Sequence, residues 1–163
     1  MKPRSVFVLL LLLPLVLSSC RHEAEKRTAT SSYAVAEALA EALTVTGGYA
    51  AYDDTAVRLY FPESVILATD FAVLYSVRPD DYTEIGVFSF QNNEDLRTAE
   101  REMERYLEEL KETYLPQAEL YERDQKEKLY GAAVRRIGRY VIYTVMSEKE
   151  QRPFWKAAEG ILT

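Results

Sequence analysis

Histidine and cysteine occur once each in this chain of 163 residues, and glycine occurs six times. The histidine is His22 and the cysteine is Cys20, so the body of the chain beyond residue 31 carries neither imidazole nor thiol. That excludes Ser-His and Cys-His nucleophile pairs, an imidazole general base and His/Cys metal clusters from the folded part. A lone cysteine also rules out an internal disulfide, which leaves packing to supply stability. The glycines stand at 47, 48, 86, 131, 138 and 160, and none forms a phosphate-cradling loop. Neither a metal nor a cofactor is therefore expected. Positive charge is short as well, with 20 basic residues against 26 acidic ones. An acidic body is repelled by nucleic acid and by anionic headgroups, so no nucleic-acid partner is expected.

What is present begins at the N-terminus. Lys2 and Arg4 precede an apolar run from Val6 to Leu17, which ends in Leu17-Ser18-Ser19-Cys20. The run is too short to span a bilayer, which takes roughly 20 apolar residues. Small residues before a cysteine suit a lipoprotein signal peptidase, whose product carries diacylglycerol on the thiol. An ordinary secretory signal with an incidental cysteine is the alternative. The lipoprotein reading is preferred because Cys20 is the sole cysteine and stands where such a signal ends. Residues 1–19 are thus read as the signal peptide and 20–31 as the lipidated cysteine and a polar tether. Residues 32–163 are read as one domain. Removal of the signal leaves 18 basic residues against 26 acidic ones, a formal charge of −8. Attachment then rests on acyl chains such as palmitate, worth about 0.8 kcal/mol per buried methylene. A flexible tether of this length reaches roughly 18 Å, which keeps the domain close to the extracytoplasmic face of the cell membrane.

Along the domain, Val35, Ala38, Leu39 and Ala42 recur at helical spacing behind Ser31 or Ser32 as N-cap. Asp53 or Asp54 caps a second short helix that stops before Pro62. Asp70 to Val77 and Thr83 to Phe90 read as strands joined by the turn Arg78-Pro79-Asp80-Asp81. Asn92 or Asn93 opens a long helix with Leu96, Ala99, Met103, Tyr106, Leu107, Leu110 and Tyr114 on one stripe. Rows of Arg97, Arg101, Arg105 and of Glu100, Glu104, Glu108, Glu112 make its solvated side. Pro116 is expected to kink or end that helix. Ala132 to Ile137 and Tyr140 to Met146 bracket Gly138-Arg139, the pattern of a type II′ hairpin. Ser147 and Glu150 form a capping box for a last helix, although Pro153 argues for a start one turn later. The expected fold class is α+β, with an antiparallel four-stranded sheet made from two hairpins. The long helix lies between the hairpins in sequence, and the N- and C-terminal helices flank it on one face of the sheet.

The strand Phe71-Ala72-Val73-Leu74-Tyr75-Ser76, then Glu84-Ile85-Gly86-Val87-Phe88, the charged helix, the segment at Tyr121 and Gly138-Arg139-Tyr140-Val141 follow in order. In this arrangement, from about Tyr33 to Leu162, the chain resembles a family of small Gram-positive lipoproteins known only as domain of unknown function four-three-five-eight. Members commonly carry proline just after the tyrosine aligned with Tyr121, where this chain has Glu122 and an earlier Pro116. The resemblance implies no activity and carries over no site residue.

Three clusters are candidates for chemistry. Asp80, Asp81 and Glu84, with Asp70 on the partner strand, could hold a cation or form an acid/base pair at the mouth of the hairpin. A solvated turn is the simpler reading, because aspartate is a turn former and calcium loops alternate acids with a glycine. Glu84, if inside the strand, needs a partner: Arg78 across the turn, or Arg135 or Arg136. Arg135, Arg136 and Arg139 make the second hairpin's tip basic and could hold a phosphate, a carboxylate or a wall polymer. Twelve tyrosines are unusual, and Tyr49, Tyr52, Tyr60, Tyr75, Tyr82, Tyr140 and Tyr143 lie near strands or connections, where they could line a groove. The preferred expectation is a non-enzymatic envelope module, held to the membrane through diacylglyceryl-Cys20, that binds another envelope protein or a wall ligand. The alternative is a hydrolase or lyase of cell-wall or extracellular substrate, with Glu84 as acid and Asp80 or Asp81 as partner.

Overall fold

Three strand segments of this chain are apolar at almost every position, and such strands must be covered on both faces. In the computed structural model, which describes residues 30–43, 48–121 and 123–163, they are. The residues read as signal peptide, Cys20 and most of those read as tether lie outside the described residues. The order of elements is α1 (Ser32–Glu41), β1 (Tyr49–Ala51), α2 (Asp54–Tyr60), α3 (Pro62–Leu67), β2 (Asp70–Ser76), β3 (Glu84–Ser89), α4 (Asn93–Tyr121), α5 (Arg123–Gly131), β4 (Ala133–Ile137), β5 (Tyr140–Val145) and α6 (Glu148–Leu162). The strands form one sheet in the order β1-β2-β3-β5-β4, antiparallel at every pairing.

The α+β class and the two hairpins agree with expectation, and two features differ. The sheet has five strands, because three residues after Gly48 pair with the end of β2. The helices cover both faces. Val73, Phe88, Val141, Tyr143 and Val145 pack against α2–α5, while Ala72, Leu74, Ile85, Val87 and Ile142 pack against α1 and α6. The reason is visible in β3 and β5, where all six residues of each strand are buried. One covered face would leave Ile85, Val87 and Ile142 in water at roughly 1.5–3 kcal/mol each.

Local chemistry sets the element ends. The Ser31 hydroxyl caps α1, accepting from the Ala34 amide at 3.1 Å. Asp53 caps α2 and Asn92 caps α4. The helix α3 was not anticipated, since Ser64-Val65-Ile66-Leu67 resembles strand. Pro62 fits its first turn, and Glu102 of α4 accepts from the Glu63 and Ser64 amides at 2.9 and 2.6 Å. A carboxylate borrowed from another helix thus supplies the cap that Phe61 cannot. The long helix α4 runs through Pro116 to Tyr121. Buried Ala118 and half-buried Leu115 hold one side of this stretch on the core, while Pro116 itself is exposed. The capping box starts α6 at Glu148, a turn earlier than Pro153 suggested. Gly138 has φ +58°, and no non-glycine residue among those described has positive φ, which fits a type II′ turn.

Gly86 has a different role. It pairs with Tyr143 across β3 and β5, and a Cβ built on it would lie 1.9 Å from the Tyr143 ring. The ring therefore lies across the bare backbone of β3. Gly86→Ala is expected to destabilise the protein by about 2–3 kcal/mol in urea unfolding through overpacking. Gly160→Ala, in α6 with nothing within 4 Å of the added methyl, should be neutral or stabilise by up to about 1 kcal/mol.

Candidate tyrosine-lined site

Glu84 is the first residue of β3, on the sheet face turned toward α4, and it is buried at 6 % exposure. Among the described residues no arginine pairs with it. Arg78 instead pairs with Asp80 at 3.1 Å on the exposed turn, and Arg136 pairs with Glu100 of α4 at 3.1 Å. Arg135 lies on the opposite face, with its guanidinium 4.7 Å from the Trp155 ring centre. The partners of Glu84 are tyrosines. The Tyr106 hydroxyl donates to both carboxylate oxygens at 3.1 and 3.2 Å, and Tyr143 donates to Oε1. Tyr52, just after β1, supplies a third hydroxyl.

The geometry follows from the sheet. Tyr75 and Val145 stand directly opposite Glu84 on the neighbouring strands, and Tyr143 stands diagonally, opposite Gly86. Because position 86 has no side chain, the Tyr143 ring crosses it and brings its hydroxyl to the carboxylate. Tyr106 descends from α4, and its ring meets Tyr143 and Phe61 edge-on at 5.6 and 4.8 Å. Burial pushes the Glu84 carboxyl up, the three hydroxyls pull it down, and burial wins, leaving it at about 7. The same enclosure pushes the hydroxyls of Tyr52, Tyr106 and Tyr143 well above their usual range, so they remain protonated donors.

Above Glu84 opens a cleft of about 490 Å³. Its walls include Tyr52, Tyr60, Tyr75, Tyr82, Tyr106 and Tyr114. Tyr52 stacks on Tyr75 at 4.5 Å, and Tyr60 tilts toward both Tyr52 and Tyr106 at 6.0 and 5.7 Å. Tyr60 and Tyr114, at 44 and 40 % exposure, stand at its mouth. A larger hollow of about 850 Å³ between α5 and α6 is bordered mostly by exposed or half-buried charged residues, with Tyr130 as its one aromatic residue. It offers less to bind with.

Asp81 also lines the cleft, in a different state. Burial pushes its carboxyl up, but hydrogen bonds from Lys128 and from the Thr83 hydroxyl and amide, with the lysine's charge, together outweigh this and hold it at about 2. Lys128 also donates to the Thr83 hydroxyl at 2.6 Å, and Gln125 accepts from the Tyr82 amide at 2.9 Å. Through these contacts α5 pins the β2–β3 connection. Asp80 is exposed, and Asp70 accepts from the Ser32 amide at 2.6 Å, at the other end of the sheet. Of the anticipated carboxylate cluster, only Glu84 and Asp81 share the cleft.

The arginine tip does not converge. Arg136 and Arg135 lie on opposite faces of β4, and Arg139 stacks on the Tyr140 ring with 5.3 Å to its centre. Of the tyrosines anticipated for a groove, Tyr49 and Tyr140 lie on the other face of the sheet. Tyr106 and Tyr114 belong by their spacing to the core stripe of the long helix, yet both line the cleft. The only hint was that a buried tyrosine needs a hydroxyl partner and a strand carboxylate needs donors. Among the described residues, no group of three or more His, Cys, Asp or Glu is placed to hold a metal ion.

The cleft and the N-terminal segment lie at opposite ends of the sheet. The Tyr140 hydroxyl donates to the Thr30 carbonyl at 3.3 Å, and Tyr140 and Asp70 both pair with Ser89 at the end of β3. Glu84 is at the start of β3, about 17 Å away along an extended strand. No protein-family model, curated protein or solved structure matches this chain.

Stability should report the two carboxyls with opposite sign. The fold keeps the Glu84 proton up to about pH 7, whereas an unfolded glutamate, at 4.5, has released it. Stability therefore falls as pH rises across that window, by on the order of 3 kcal/mol. The Asp81 contribution is present above its unfolded value of 3.8 and is lost as pH falls toward 2. Urea unfolding should show greatest stability at about pH 4–5. Glu84→Gln should remove most of the decline between pH 5 and 8.

Proposed function

We propose that this chain is a lipid-anchored, extracytoplasmic module of the cell envelope, similar to the Gram-positive lipoprotein family noted above, and that it binds its ligand in the tyrosine cleft. The observation that carries the reading is the cleft itself, where flat aromatic walls surround a buried carboxyl. Concave sites of a few hundred Å³ with mostly apolar walls and a few fixed polar groups are the usual form of ligand sites. The direction of the cleft supports it too. A domain tethered through Cys20 by the residues before Thr30 would carry the cleft at the end away from the membrane.

The hydrolase or lyase alternative draws on the split between Glu84 near 7 and Asp81 near 2 in one cleft. It is less well supported, because the second carboxylate must be free to take a proton or attack. Asp81 is held by Lys128 and Thr83, and Asp80 is paired with Arg78 outside the cleft lining, so Glu84 has no free carboxylate partner there. We therefore favour binding without turnover.

Two measurements in living cells test this. The native protein should partition into detergent with the membrane fraction, and Cys20→Ala should move it to the aqueous phase; equal partitioning would remove the anchor from the account. A photoreactive residue at position 114 should trap one dominant adduct, seen as a discrete mass increase. The same residue at exposed position 120 is the control. Identical products from both positions would mean that the cleft is not the binding site.

A further inference from the structure

We infer that the cleft takes an organic ammonium group, received against the rings of Tyr52, Tyr60, Tyr75 and Tyr106 with its charge directed at Glu84. The inference rests on the cleft being a ligand site and specifies the chemistry of what enters it.

Lysine and arginine do not occur among the residues lining the cleft, and three of those residues, Asp81, Glu84 and Glu109, are acidic. Asp81 is balanced by Lys128 from behind, which leaves Glu84 at the floor and Glu109 toward the rim without a cationic partner in the cleft. An anionic ligand would meet repulsion with nothing to offset it. A neutral sugar is a poorer match as well. Sugar hydroxyls need donors as well as acceptors from the protein. The lining has no Asn, Gln or Arg, and much of the donor capacity of its buried tyrosines is already directed at Glu84. A bare divalent cation needs several carboxylate or carbonyl ligands converging on one point, and none of the described carboxyls are so arranged.

An ammonium ion with alkyl substituents fits each feature. Tyrosine faces attract cations through their quadrupole, most strongly where water is excluded. Tyr52 and Tyr75 stack on each other at 4.5 Å, and Tyr60 is inclined to Tyr52 and to Tyr106 at 51° and 53°, so the rings present faces in more than one direction and not one platform. The buried carboxyl beneath supplies the countercharge. Glu84 is faced by Tyr52 after β1, Tyr75 from β2, Tyr106 from α4 and Tyr143 from β5, with Tyr60, Glu109 and Asp81 further out. Its proton is retained to about pH 7 in the empty cleft. An entering cation would favour the ionised form, so binding should release a proton and strengthen as pH rises.

The test is calorimetric titration of the purified full-length protein in detergent with four probes. Two are cations, choline and n-butylammonium. One is 3,3-dimethylbutan-1-ol, the neutral shape-mimic of choline, and one is the neutral disaccharide N,N′-diacetylchitobiose. The inference predicts that at least one cation binds and the neutral mimic does not. Affinity should be about tenfold tighter at pH 8 than at pH 6, following the ionised fraction of Glu84. Glu84→Gln should abolish that pH dependence, and Tyr60→Ala, at an exposed position that does not threaten folding, should weaken binding by about threefold to thirtyfold. Disaccharide binding that Tyr60→Ala weakens, with no cation binding, would overturn the ammonium inference while supporting the cleft as a ligand site. Equal binding of choline and its neutral mimic would overturn it too. Failure of all four probes would overturn it, and photocrosslinking from position 114 would decide separately whether the cleft binds anything.

Discussion

A carboxyl group placed inside a sheet, with no positive charge to meet it, constrains everything around it. Taking an ionised carboxylate out of water costs several kcal/mol, and a chain that does so must supply hydrogen bonds or hold the proton. This protein does both. Glu84 has tyrosine hydroxyls from α4, from β5 and from the segment after β1, and it still sits at about 7. Each hydroxyl needs an aromatic ring packed in the core behind it. Phe61, Tyr106 and Tyr143 form that packing, and Gly86 gives the Tyr143 ring the room to reach. The carboxyl, its donors and the glycine are one unit, and the cleft is the space left above it.

The two acids of the cleft show how environment decides the state of one functional group. Asp81 and Glu84 are three residues apart and both buried. One has a lysine and a threonine within hydrogen-bond reach and is ionised through almost the whole pH range. The other has only hydroxyls and changes charge near neutrality. Asp81 holds the β2–β3 connection to α5 as a fixed ion pair. Glu84 is the side chain in the cleft whose charge responds to its surroundings, which suits the proposed cationic ligand.

Much of the fold can be read in the residues. The stripe from Leu96 to Leu107 repeats at 3.6 residues and is buried as a helix face, with Tyr114 of the same stripe at the cleft mouth. Ser31, Asp53, Asn92 and the Ser147/Glu150 box cap helices for reasons carried in a few adjacent side chains. What escapes a linear reading depends on distant partners. Ser64-Val65-Ile66-Leu67 is helical because Glu102, 38 residues away from Ser64, caps it. The second layer of helices follows from strands apolar on both faces, which short runs do not separate from one-sided burial. Glu84 stands out as the carboxylate to watch, but its hydrogen-bonded partners Tyr106 and Tyr143 lie 22 and 59 residues further along. Arginine was the default partner by charge. Tyrosine prevails because its ring belongs to the core while its hydroxyl does not.

The account stands most directly on the state of one proton. A carbon-13 NMR titration of the Glu84 side-chain carboxyl, assigned by its loss in Glu84→Gln, should show a midpoint near pH 7 in the ligand-free protein. A midpoint near the ordinary glutamate value of 4.5 would mean that the carboxyl is solvated. The tyrosine enclosure, and the cleft reading built on it, would then be wrong.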